Sequence, residues 1–232
     1  MPDSAIREFA DTTVDPPVRG FLHVPASPNG DGLVLTHGAG SNAQAPLLRT
    51  LADTFAAAGF TVLRCNLPYR QARSFGPPGP ADAARDRAGL KYGVAAVKSM
   101  LNNTAHAGES GQARPLLGGH SYGGRQASML CAEEPDLVEA LLLLSYPLHP
   151  PRRPEQQRTQ HLPDLRTPTL FVHGTHDPFG SIEELQRAIK MIPAKTKLLP
   201  VEGAGHDLGF KGKAGEGKLQ SAILAEFQAL LT

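Results

Sequence analysis

Short, nearly unbroken apolar runs are the feature that most constrains what this chain can fold into. Leu33–His37, Thr61–Cys65, Pro115–Gly119, Ala140–Tyr146 and Thr169–His173 are built mostly of apolar residues. A strand with one wet face would alternate polar and apolar residues, so the middle runs read as strands buried on both faces. Gly20–Val24 and Lys197–Val201 read as further strands. Between the runs, Ala45–Ala58, Ala81–Leu101, Ser121–Glu133, Ser181–Met191 and Lys218–Leu231 have helical character. Such alternation predicts an α/β fold: a mostly parallel twisted sheet with right-handed crossovers and helices on both faces. With no internal repeat and no linker between two cores, residues 1–232 read as a single domain.

Charge excludes some classes of function. The chain has 23 Lys+Arg against 22 Asp+Glu, a formal net charge of +1, which is no footprint for nucleic acid or an anionic membrane. The basic stretch Lys211–Lys218 is interrupted by Glu216 and reads as a solvated loop. Ala140–Leu144 is too short to span a bilayer, and the N-terminal residues lack the basic start and apolar run of a signal peptide. Cys65 and Cys131 read as small core residues, which fits a reduced, cytoplasmic setting. The partner implied is a small-molecule substrate. The sequence is silent on oligomeric state.

The chemistry centres on Gly119-His120-Ser121-Tyr122-Gly123. The motif leaves a strand and opens a helix, the context a nucleophile elbow needs. Ser121 would stand at a helix N-terminus, where backbone N–H groups and the helix dipole favour developing negative charge. A serine hydroxyl needs a base at neutral pH. The order for this type of fold is serine, then acid, then histidine. Asp177 follows the Thr169–His173 strand and His206 follows Lys197–Val201, which puts both on the sheet edge that carries Ser121. His206 is the expected general base and Asp177 the group that orients it. Asp177 also suits a turn before Pro178 or a helix cap near Ser181. The glycine-rich loop His37-Gly38-Ala39-Gly40-Ser41-Asn42 is the expected oxyanion loop, with the amides of Ala39 and Tyr122 as donors.

Two proline-rich stretches, Asn66–Pro80 and Pro147–Pro168, follow strands and are expected to wall the mouth of the site. Gly38, His120, Tyr69, Arg70 and Arg125 are the candidate substrate-binding residues, and Arg70, Arg125, Arg152 and Arg153 could hold a substrate carboxylate. His173, His176 and His120 do not form a zinc pattern with Cys or Glu, so no metal and no cofactor is expected.

The chain resembles the α/β-hydrolase superfamily, in its dienelactone-hydrolase-like branch. It is most similar to the group that includes testis-expressed protein 30 and its bacterial relatives. The resemblance rests on His37-Gly38-Ala39-Gly40, Asn66-Leu67-Pro68-Tyr69-Arg70 and Gly118-Gly119-His120-Ser121-Tyr122-Gly123-Gly124-Arg125. It continues through Ser145-Tyr146-Pro147-Leu148-His149-Pro150-Pro151, His173-Gly174-Thr175-His176-Asp177-Pro178-Phe179-Gly180 and Gly203-Ala204-Gly205-His206. It implies an α/β-hydrolase fold, the Ser121, Asp177 and His206 positions and a hydrolase activity. Dienelactone hydrolases proper use a cysteine nucleophile. Ser121 here favours general ester chemistry over lactone specificity. A related domain in a vertebrate chromatin-acetylating complex implies that this fold can also serve as a non-catalytic scaffold. An acyltransferase could use the same triad. The short segment between Ala140–Tyr146 and Thr169–His173 leaves room for only a reduced or absent cap, and hence for small or accessible acyl groups.

Overall fold

The computed structural model describes residues 5–105, 113–210 and 217–232. One eight-stranded sheet organises them. In chain order the elements are β1 (Ala5–Asp11), β2 (Val18–Val24), β3 (Asp31–Thr36), α1 (Pro46–Ala57), β4 (Thr61–Asn66), α2 (Pro68–Ala72), α3 (Asp82–Ala105) and β5 (Arg114–His120). They continue with α4 (Tyr122–Glu133), β6 (Ala140–Leu144), β7 (Thr169–Gly174), α5 (Ile182–Ile189), β8 (Thr196–Val201) and α6 (Lys218–Gln228). The sheet order is β1-β2-β4-β3-β5-β6-β7-β8. From β4 to β8 every pairing is parallel, while β2 runs antiparallel to both of its neighbours.

The all-apolar runs lie at the centre. Every residue of β3, β6 and β7 is buried. Their side chains feed two cores, one on each face. One face packs Val34, Leu117, Leu143 and Phe171 against α3, α4 and α5. The other packs Leu33, Leu35, Leu116 and Leu142 against Leu48, Leu51 and Phe55 of α1 and Ile223 and Phe227 of α6. Adjacent residues of one strand thus serve opposite cores, which is why apolar residues dominate at both parities.

The structure corrects the sequence reading at four places. β1 was not expected: its residues are mostly exposed and its charged Arg7 and Glu8 blunt an edge strand. β2 is antiparallel rather than parallel. The Ala140–Tyr146 strand stops at Leu144, because Ser145 turns into the left-handed region at φ 49°. Asn66–Pro80 is not all loop; Pro68 sits in the first turn of α2, where its missing N–H costs no hydrogen bond. Residues 145–168, between β6 and β7, form no cap domain; their one regular element is a single 3-10 turn at Leu162–Asp164. Cys65 and Cys131 are buried and free, and burial pushes both thiols up to about 12. Most of the Lys211–Lys218 stretch lies outside the described residues. Among the described residues no helix is long and apolar enough to cross a membrane.

Candidate active site

Parallel strands deliver their carboxyl ends to one edge, and three loops from that edge meet at Ser121. Ser121 lies between β5 and α4 with φ 51° and ψ −117°, a backbone strain of the kind stored at functional turns. Its N–H donates to the Leu144 carbonyl at 2.8 Å, which ties the turn to β6. Two glycines make the turn possible. A Cβ at Gly119 would stand 2.6 Å from the Gly123 carbonyl carbon, and one at Gly123 would stand 2.5 Å from the His37 carbonyl oxygen. The strand and the helix therefore cross with backbone touching backbone.

His206 and Asp177 arrive on the loops after β8 and β7. The His206 Nε2 is 2.8 Å from the Ser121 Oγ, and its Nδ1 is 2.8 Å from Asp177 Oδ2. A carboxylate only accepts, so the ring proton sits on Nδ1 and Nε2 accepts from the serine hydroxyl. Asp177 is 6% exposed. Its other oxygen, Oδ1, accepts from the Phe179 N–H at 2.9 Å. One oxygen of this aspartate closes the turn and the other meets His206. The turn lays the Phe179 ring over the His206 imidazole, with centroids 4.2 Å apart and planes tilted by 31°. On another side His120 packs against His206 at 5.1 Å and donates from Nε2 to the His206 carbonyl at 2.8 Å. Burial pulls the His120 imidazole down to about 4, so at neutral pH it is an uncharged prop.

The loop after β3 is held from behind by β4 and α2. Asn66 Oδ1 accepts from the Ala43 N–H at 2.8 Å, and the Leu67 N–H donates to His37 Nε2 at 3.1 Å. The His37 proton is therefore on Nδ1, which donates to the Gly38 carbonyl at 2.9 Å. The Tyr69 hydroxyl lies 2.9 Å from the Ala39 carbonyl and 3.3 Å from that of Gly38. Arg70 donates to the carbonyls of Ser41 at 2.9 Å and Ala39 at 3.0 Å. Buried Arg64 adds a bond to the Ala43 carbonyl. In a trans peptide the N–H points opposite the preceding carbonyl. With the Gly38 carbonyl drawn toward Tyr69 and His37, the Ala39 N–H faces away from them. The Tyr122 N–H is in the first turn of α4, where no intrahelical acceptor exists.

Asp86 of α3 joins the two donors' supports. It is fully buried and accepts from the Tyr69 N–H at 3.0 Å and the Tyr122 hydroxyl at 2.7 Å. Burial raises its carboxyl above the ordinary value, against the pull of these two hydrogen bonds. Burial and the Asp86 contact raise the Tyr122 phenol.

A cleft of about 550 Å³ covers Ser121 and His206. Its walls are Gly38–Ser41, Pro178–Phe179 and Gly205–Asp207, with His120 at the base. The expected substrate contacts divide accordingly. Gly38 and His120 line the cleft. Tyr69 and Arg70 do not: they grip the back of the loop after β3. Arg125 is also absent from the cleft lining. It lies against Tyr146, where its Nε is buried with no hydrogen-bond partner. The stretches 66–80 and 147–168 likewise leave the cleft wall to shorter loops. His173 donates to the Gly180 carbonyl at 2.9 Å while His176 is exposed, so the pair does not converge. Among the described residues no group of three or more His, Cys, Asp or Glu could hold a metal ion.

Sequence reasoning missed Asp86, Arg64, Asn66 and Phe179 as parts of this site. Asn66 and Phe179 stood in recognisable motifs without an assigned role. Asp86 and Arg64 act through partners 17 to 41 residues away and leave no local signal.

Solved structures share this architecture. A dienelactone hydrolase from Anabaena variabilis is 23% identical, with 96% of each chain covered and a TM-score of 0.69. An alpha-beta serine hydrolase homologue from Coxiella burnetii is 17% identical, with 95% of this chain and 96% of that one covered at TM-score 0.71. A serine hydrolase without a lid from Xanthomonas campestris is 15% identical, with 99% of this chain and 95% of that one covered at TM-score 0.71. At these identities the likeness is one of fold. Residues 30–230 match the family described as an alpha/beta hydrolase domain, and the chain belongs to that family.

Proposed function

We propose that this hydrolase acts on carboxylic esters through Ser121 as nucleophile, His206 as general base and Asp177 as the residue that orients the base. The observation that carries the proposal is the unbroken chain of two 2.8 Å hydrogen bonds, Asp177 to His206 to Ser121, at the floor of the cleft. Substrate places its carbonyl carbon over Ser121 Oγ. The serine proton moves to His206 Nε2 as the Oγ–C bond forms. Asp177 and the overlying Phe179 ring favour the imidazolium that results. The carbonyl oxygen gains the negative charge and meets the N–H groups of Ala39 and Tyr122. Collapse of this intermediate breaks the bond to the leaving alkoxide, which takes the proton from His206. Water repeats the cycle in reverse and frees the acid. Among the described residues no cap domain covers the cleft, and small or accessible acyl groups fit best. Free buried thiols support the cytoplasmic setting.

A fluorescent fluorophosphonate tests the assignment directly. Native protein is expected to label, and Ser121→Ala and His206→Ala are expected not to. A folded native protein that does not label would overturn the proposal.

A further inference from the structure

A second cavity, of about 240 Å³, adjoins the cleft under the start of α1. Its walls are Ala45, Pro46, Leu47, Leu48 and Phe210. It meets the cleft at Gly38, Ser41, His120 and Asp207, which line both spaces. We propose that this cavity receives one apolar arm of the substrate, a straight chain of about six carbons or a phenyl ring. The inference rests on the ester-hydrolase reading of Ser121 and goes further by naming the substrate class.

Three observations support it. The first is continuity: a group in the cavity is connected to the Ser121 cleft through residues common to the two. The second is chemistry. The two imidazoles at the cavity wall have their ring N–H groups engaged. His37 donates from Nδ1 to the Gly38 carbonyl and accepts from the Leu67 N–H at Nε2. His120 donates to the His206 carbonyl. Burial holds both rings neutral near neutral pH, with values of about 4. A polar arm would lose its water there and gain no donor from either ring in return. The third is size. A dry apolar cavity of about 150 Å³ already holds benzene, so this one takes a phenyl ring or a hexyl chain.

Burying a methylene improves binding by roughly threefold to fourfold. On the arm that enters the cavity, kcat/KM is therefore expected to climb about threefold per methylene from two carbons to six. The experiment varies each arm separately: p-nitrophenyl acetate, butyrate and hexanoate for the acyl side, and ethyl, butyl and hexyl acetate for the alcohol side. Native protein is compared with Leu47→Trp and, should that variant fold poorly, with Ala45→Phe, which fills the space from its rim. The six-to-two-carbon ratio is expected to rise on one arm in native protein and to fall at least tenfold on that arm in the filled variant. Equal ratios in native and filled protein, on both arms, would overturn the proposal. A second readout does not depend on turnover. Titration with 1-hexanol should shift the Leu47 and Leu48 methyl NMR signals of native protein and leave the Leu48 signals of Ala45→Phe unmoved. Absence of any shift in native protein would also overturn it. Failure of fluorophosphonate labelling would remove the ester-hydrolase reading instead, and the hexanol titration would still decide whether the cavity takes an apolar group.

Discussion

The two sides of Ser121 are built on different plans. On the side of β7 and β8, each working group lies within a few residues of a strand end, and Asp177 and His206 meet directly from two loops. Asp177 closes the turn that holds Phe179, and Phe179 covers His206. On the side of β3, the loop at residues 37–43 makes bonds of its own to the Gly38 carbonyl, from His37 Nδ1 and the Ser41 N–H. The carbonyls of Ala39, Ser41 and Ala43, the Ala43 amide and the His37 ring are gripped by Arg64, Asn66, Leu67, Tyr69 and Arg70, from β4 and α2 and the turn between them. The side proposed to hold the base joins side chain to side chain and carries ionisable groups. The side proposed to hold the oxyanion is backed by a second layer of side chains and offers only backbone dipoles. A protein can position a proton relay with a few rotamers, but a fixed amide needs its whole peptide clamped.

This contrast predicts that the base side fails sharply on a single change. Asp177→Asn keeps the size of the side chain but reverses the hydrogen-bond preference at His206 Nδ1. Ester hydrolysis is expected to fall by about 10⁴-fold, with KM little changed. Since Asp177 Oδ1 also closes the Phe179 turn, and an amide oxygen can still accept there, the fold should survive. Steady-state kinetics and a thermal melt run together check both halves. A loss below about tenfold would show that Asp177 does not orient the base.

Acid probes both sides at once, because each has a buried neutral histidine: His37 beneath the oxyanion loop and His120 beside His206. Both sit at about 4 in the folded protein, against about 6.5 unfolded. The unfolded chain therefore takes up protons first as pH falls. Stability is full above about pH 6.5, declines between 6.5 and 4, and levels off below 4 for these two groups. The combined loss is on the order of a few kcal/mol. Urea midpoints measured from pH 7 to 4 should drop through that window, and His120→Gln should flatten the slope. A midpoint independent of pH over this range would contradict it.

Asp86 is where the oxyanion side is most exposed to damage, although it touches no part of the cleft. Replacing it with Ala leaves the Tyr122 hydroxyl and the Tyr69 N–H without their acceptor in a buried place. Such losses cost about 1–3 kcal/mol per group. An unfolding free energy lowered by about 2–4 kcal/mol, read from a denaturant titration, is the expected result. Unchanged stability would mean that water replaces the carboxylate and that the two supports are independent.

How much of this was legible in the sequence follows the same division. Mostly apolar runs exposed the central strands, because a doubly buried strand favours apolar residues at both parities. Ser121, Asp177 and His206 were legible because each follows a strand closely and has glycine or proline within two residues. Tyr69 and Arg70 were visible as a motif but were assigned to substrate. From sequence, a conspicuous Tyr-Arg pair after a strand looks the same whether it faces a ligand or the back of a neighbouring loop. Only the pairing of β4 beside β3 decides between these, and that pairing joins residues about 30 apart in the chain. Asp86 gave no signal at all. A single carboxylate in the first part of a helix ordinarily marks a solvated N-terminus, and its burial depends on α2 and α4 closing over it.

Tyr69→Phe is the mildest way to separate the two plans. It deletes one hydroxyl and keeps the ring that packs edge-on against Tyr122 at 5.8 Å. The Ala39 carbonyl would retain its bond from Arg70, and the Gly38 carbonyl its bond from His37. The peptide carrying the Ala39 N–H would then be held by fewer bonds rather than released. Removing an oxyanion donor outright costs about 10²–10³ in kcat, so loosening one should cost about tenfold. The loss should fall on kcat and spare KM, since the charge that the amide meets exists only in the transition state. A residue that bound substrate would show the reverse, a raised KM at constant kcat. Tyr69 was first read as such a residue, and the split between kcat and KM decides between that reading and its place behind the loop.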